Sequence, residues 1–194
     1  MKLKAFLLSV ALLLPAMAQA DDKPAPITQA PNTEAQDDGC DFAPPLPLLM
    51  EQAYPGQTFT ATADHSAVET AVLGGGVVLT IYLNQCVDAF SRDFVLTVPN
   101  DVNDRDFAAW ADFAQVALRD LKVRHAMETN ELVAFLKKAR AMTPKSDTIS
   151  MCRHADVAVE FADECGWDSG GSFSLEVKPG NAATQVTVSE SLSG

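Results

Sequence analysis

Asp93–Trp110 reads DFVLTVPNDVNDRDFAAW, and its two halves follow different periods. Asp93–Val98 is rich in β-branched and aromatic residues and ends at Pro99-Asn100, the signature of a strand and its stop. From Asp104 the spacing changes. Phe107, Trp110, Ala114, Ala117, Leu118 and Leu121 fall on one helical face, with Asp112, Gln115, Arg119 and Lys122 on the other. Asp104 is predicted as the N-cap and Asp106 as a first-turn acid facing the helix dipole. The chain therefore passes from strands to helices here.

Upstream of this switch, Gln57–Ala63 alternates threonines with Phe59 and alanines, which suits an edge strand. Val68–Leu73 and Val77–Leu83 flank Gly74-Gly75-Gly76. The second run, VVLTIYL, is nearly all apolar and predicts a buried central strand. No Lys-Ser/Thr follows the three glycines, so they form a turn and not a phosphate loop. Downstream, Leu132, Phe135, Leu136, Ala139 and Met142 stripe a second helix that Thr143-Pro144 stops. Strands are predicted at Asp156–Phe161, Ser172–Lys178 and Gln185–Ser189. The fold expected is α+β. It has a mainly antiparallel sheet with two helices, about 104–126 and 130–142, packed on one face, and strands before and after them.

The N-terminal residues belong to another category. In MKLKAFLLSVALLLPAMAQA, Lys2 and Lys4 precede an apolar run, and Ala18-Gln19-Ala20 supplies a small-x-small site. Residues 1–20 thus read as a signal peptide cleaved after Ala20, too short to span a membrane. A periplasmic location fits best, with secretion as the alternative. Residues 21–47, rich in Pro, Ala and Asp, read as a flexible tether. Residues 48–194 make a single domain of ordinary size. All four cysteines, Cys40, Cys86, Cys152 and Cys165, lie beyond the leader, so two disulfides are expected with three possible connectivities. The strand predicted between Cys152 and Cys165 argues against pairing them merely as neighbours, and Cys86 could bond either. Cys152-x-His154 lacks the four preorganised ligands of a structural zinc site. No metal or cofactor is expected.

Removing Lys2 and Lys4 leaves twelve basic against twenty-six acidic side chains, a net charge of −14. Such a chain should not bind nucleic acid, which requires a basic footprint. One basic island stands out between Arg119 and Lys145, where Arg119, Lys122, Lys137 and Lys138 lie on or beside the two helices.

Near the C-terminus, Cys165-Gly-Trp-Asp-Ser-Gly-Gly-Ser-Phe173 resembles the nucleophile turn of trypsin-like serine proteases. Thr62-Ala-Asp-His65 and Asn100-Asp101-Val102 resemble their histidine and aspartate motifs. The resemblance would make Ser169 the nucleophile, His65 its base and Asp101 the orienting acid. Trp167, however, replaces the glycine that aims an oxyanion donor. Only twenty-five residues follow Ser169, and the middle of the chain is helical. The stretch reads instead as a turn, with Gly166, Gly170 and Gly171 available for positive φ. Trp167 there either contacts a partner or caps the core, and Asp168 accompanies it. The function expected is non-enzymatic binding to another envelope protein through Trp167, Asp168 and the basic helical face, as an inhibitor, immunity-type or accessory factor would bind. The alternatives are a hydrolase with a scattered site, or a carrier of a small anionic or lipidic ligand.

Overall fold

The computed structural model describes residues 44–62, 65–86, 89–99, 105–125, 129–142, 144, 147–154, 161–162 and 169–193. Its strands are β1 (Thr58–Ala61), β2 (Ser66–Val72), β3 (Val78–Cys86), β4 (Ala89–Pro99), β5 (Thr148–His154), β6 (Phe161–Ala162), β7 (Ser169–Lys178) and β8 (Ala183–Ser193). The helices α1 (Phe107–Asp120) and α2 (Asn130–Ala139) lie between β4 and β5. All strands join one antiparallel sheet in the order β1-β2-β3-β4-β8-β7-β5-β6. The pre-helix and post-helix halves meet at β4–β8, so the C-terminal strand closes the sheet's centre.

Strand register stacks the buried residues into rows across one face. Ala71, Leu79, Leu96, Val186 and Val177 form the first, and Glu69, Ile81, Phe94, Val188, Leu175 and Ile149 the second. Ala67, Leu83, Arg92, Glu190, Phe173 and Met151 form the third. The opposite face carries Thr80 and the half-exposed Tyr82. β3 is therefore buried on one face only. An antiparallel sheet can leave one face to water, and the apolar run there supplied β-propensity rather than a second core.

Against the inner face, Phe135 of α2 meets Phe173 of β7 with ring centroids 5.8 Å apart. Trp110, Ala111, Ala114 and Leu118 of α1 and Leu132, Phe135, Leu136 and Ala139 of α2 are buried in the same core. Each large apolar side chain so buried contributes about 1.5–3 kcal/mol.

Both helices are shorter than their periodicity suggested. α1 is capped by Asp106, whose Oδ1 accepts from the Ala109 N–H at 2.8 Å. Asp104 lies outside the described residues. The helix stops at Leu121 because the following backbone is used elsewhere. Lys122 C=O accepts from the Met50 N–H, Leu48 C=O accepts from the Arg124 N–H, and Leu49 bridges Val123. In α2, Arg140 already forms the C-cap.

Further differences concern strands. Thr148–His154 is a strand that propensity did not mark, and of Asp156–Phe161 only Phe161 falls within the described residues. Gly170 and Gly171 are strand residues of β7, not turn residues. A Cβ on Gly171 would lie 2.6 Å from Leu192 Cδ2 and 2.8 Å from the Ser191 carbonyl oxygen, so close strand packing explains this glycine. Positive φ is found instead at Gly75 and Gly76, where the three glycines turn β2 into β3.

Cys86 and Cys152 are both disulfide-bonded. β4, β8 and β7 separate their strands, about 19 Å along the sheet at ordinary strand spacing. Bridged Cα atoms sit about 5.5–6 Å apart. A Cys86–Cys152 bond is thus excluded, and the two remaining connectivities each involve Cys40 and Cys165, which lie outside the described residues.

Candidate functional site

Beyond the third row, the inner face continues with Gln85, paired to Phe90, which is paired in turn to Leu192. Here the extended segment Pro44–Met50 borders the sheet. It is fixed from both sides: by the backbone bonds to Lys122–Arg124 and by Glu69. The Glu69 carboxylate accepts from the Leu48 N–H at 2.8 Å and from the Leu49 N–H at 3.2 Å. Glu69 is fully buried. Burial pushes its pKa up, against the pull of those two N–H groups and of the Arg124 charge. Pro45, inside the stretch read as a tether, is itself buried.

Between this segment and the sheet lies a cleft of about 710 Å³. Pro44–Leu48 line one side, Leu83, Gln85, Phe90 and Arg92 the sheet side, and Arg124 and His125 complete it. Arg92 is 6% exposed. Its Nη2 donates to Glu190 Oε2 at 2.6 Å and its Nε to the same oxygen at 3.1 Å, while the guanidinium sits 4.6 Å from the Phe90 ring centroid. Arg124 and His125 are exposed. Among the described lining residues, then, two arginines and a histidine face the cleft and no carboxylate does.

A second depression, of about 500 Å³, lies at the opposite end of the sheet. Tyr54, Val72, Leu73, Val77, Phe113, Val116 and Leu121 make it apolar. Asp120 on its border is held by Arg119, Nε to Oδ1 at 2.8 Å, and this bond lowers the carboxyl's pKa.

The residues expected to bind a partner are only partly brought together. Arg119 is engaged with Asp120, and both are exposed. Lys122 lines neither cavity, and its backbone N–H donates to the Tyr54 hydroxyl of the second depression at 2.9 Å. Lys137 and Lys138 are exposed in the last turn of α2. Arg140, two residues on, pairs with Asp112 in the first half of α1. Arg119 lies seven residues further along α1, about 10 Å at the helical rise. The basic island is therefore divided between two ends of the helical pair. Trp167 and Asp168 lie outside the described residues. The stem that follows them is placed: Ser169 opens β7 opposite His154, and Gly171 lies opposite Arg153.

For the protease-like residues the topology is unfavourable. His65, which precedes β2, is four strand spacings from β7, about 19 Å. Asp101 lies outside the described residues. Sequence reading missed the cleft because its parts are far apart in the chain: Arg92 and Glu190 are 98 residues apart and Leu48 and Glu69 are 21 apart. The one local hint was Pro44-Pro45-Leu46-Pro47 next to the core's first leucines. Among the described residues no group of His, Cys, Asp and Glu is placed to hold a metal ion, and no helix is long and apolar enough to cross a membrane. Compared with protein-family models, curated proteins and solved structures, the chain matches none of them.

Proposed function

We propose that this is an exported, periplasmic, non-enzymatic binding protein that docks on another envelope protein, as an inhibitor, immunity-type or accessory factor does. One observation carries the reading. A chain of net charge −12 sets the exposed Arg124, with His125 beside it, at a cleft whose described lining holds no carboxylate, an arrangement that suits an acidic partner. Trp167 and Asp168 are kept as proposed contact residues, as the sequence suggested, and precede the end of β7 on the cleft side of the sheet. Residues 1–20 are taken as the leader, removed after Ala20, and 21–47 as the tether of the 48–194 domain. Both helices are taken to lie on the sheet's inner face, with the Phe135–Phe173 contact in support.

The test is affinity capture from the envelope fraction, using the full chain expressed with its own leader and a C-terminal tag. A near-stoichiometric protein partner, lost with Trp167→Ala while circular dichroism is unchanged, is the expected result. No partner would remove the reading, and retention by Trp167→Ala would remove the loop from it. A second reading, a carrier of a small anionic or lipidic ligand, draws on the cleft's volume, which lies in the range of small-ligand sites.

A further inference from the structure

We propose that the cleft recognises a carboxylate carried beside an aromatic or branched apolar side chain, as an acidic segment or chain terminus of a docking protein presents it. This rests on the reading of the protein as one that docks on another.

The charge comes in two layers. Arg92 is fixed at the sheet side by Glu190 and flanked by Phe90, so its charge sits buried and rigid behind the cleft's wall. Arg124 and His125 are exposed and meet an incoming anion first. Arg124 already acts on one carboxylate, that of Glu69 behind the Pro44–Met50 segment. Charges in that outer layer are screened over about 10 Å at 0.1 M salt, so binding should weaken as salt rises.

The apolar component comes from the opposite side. Pro44, Pro45 and Pro47 have fixed φ and no N–H, so that side is stiff and poor in donors. It loses little entropy on contact. Leu46 stands 79% exposed among the prolines, across from Leu83 and Phe90. This apolar surface is short and interrupted by Gln85 and Arg92. A compact side chain fits it better than an acyl chain, which needs a continuous apolar enclosure. Peptide is therefore favoured over lipid.

Titrating the ¹⁵N-labelled chain with N-acetyl-L-phenylalanine, N-acetyl-L-phenylalaninamide and dodecanoate tests the assignment. The free acid should give saturable shifts at Gln85, Phe90, Arg124 and His125. The neutral amide should bind about fivefold more weakly, the upper range for one exposed charge pair. Arg124→Glu should weaken the acid by a similar factor and leave the amide unchanged. His125→Glu is the second variant should Arg124→Glu fail to fold. Equal binding of acid and amide, shifts confined to other surfaces, or no saturable shift would overturn the proposal. Tighter binding of dodecanoate than of the free acid would replace the peptide with a lipid. A fragment that binds without any captured envelope protein would keep the cleft chemistry and remove the proposed function. A captured partner indifferent to Arg124→Glu would do the reverse.

Discussion

The two ends of the sheet's inner face are built from the same strands and finished differently. Toward the β2–β3 turn, register brings together Ala71, Leu79, Leu96, Val186 and Val177, all apolar. Toward the β3–β4 turn it brings Arg92 and Glu190 side by side, then Gln85 and Phe90. A buried ion pair is weak evidence for stability, because desolvating two charges offsets most of their attraction. An apolar pair at the Arg92 and Glu190 positions would serve the core as well. The polar end is therefore the one whose composition packing alone does not explain.

The largest expected effect sharpens that contrast. Glu190→Ala removes the carboxylate that accepts from Arg92 Nη2 and Nε, and breaking such a buried pair costs about 3–5 kcal/mol. Urea unfolding measures it. Replacing both residues, Arg92→Met with Glu190→Leu, should return stability to within about 1 kcal/mol of the parent or above it, while reducing N-acetyl-L-phenylalanine binding. A double variant that unfolds, or one that binds as before, would mean that the pair serves the fold. A smaller effect is expected at Gly171. Gly171→Ala must displace Leu192 and the Ser191 carbonyl, costing about 1–3 kcal/mol as an overpacked site. A neutral result would show that β7 and β8 can separate there.

Smaller again is the effect of pH through Glu69. Its folded-state pKa is raised, chiefly by burial, so the folded chain holds this proton more tightly than the unfolded chain does. The stability this group contributes is full below the ordinary carboxylate range and is lost as pH rises through the raised value. Glu69→Gln should flatten the pH dependence of the thermal midpoint just above that range. An unchanged slope would place the titration elsewhere.

The change of period at Asp93–Trp110 made the strand-to-helix switch legible, and the stripes of α1 and α2 named their buried residues. Boundaries were less legible because they depend on distant backbone. α1 ends where Lys122–Arg124 bond to Leu48 and Met50, over seventy residues away in the chain. β5 went unread since Ile149 and Met151 alternate with Ser150 over too short a run to stand out as a strand. Gly171 read as a turn because two adjacent glycines usually make one, whereas its reason is Leu192 on a neighbouring strand. The basic island looked continuous along the chain, but the Arg140–Asp112 pair sets the C-terminal end of α2 beside the first half of α1, away from Arg119. The cleft itself was beyond the sequence, since strand register alone joins Arg92 to Glu190.

The disulfides sharpen the comparison in another way. Peptide mapping without reduction should find no Cys86–Cys152 linkage, and its presence would contradict the strand order.

The measurement closest to the central claim is a pair of charge reversals tested side by side in the envelope capture. One variant carries Arg124→Glu with His125→Glu at the cleft. The other carries Lys137→Glu with Lys138→Glu at the end of α2, where both side chains are exposed and the change in charge is at least as large. All four substitutions are on the surface and should alter stability by no more than about 0.5 kcal/mol each. Loss of the partner with the cleft variant, and its retention with the α2 variant, is the expected result. Retention with the first and loss with the second would contradict the assignment of the binding end.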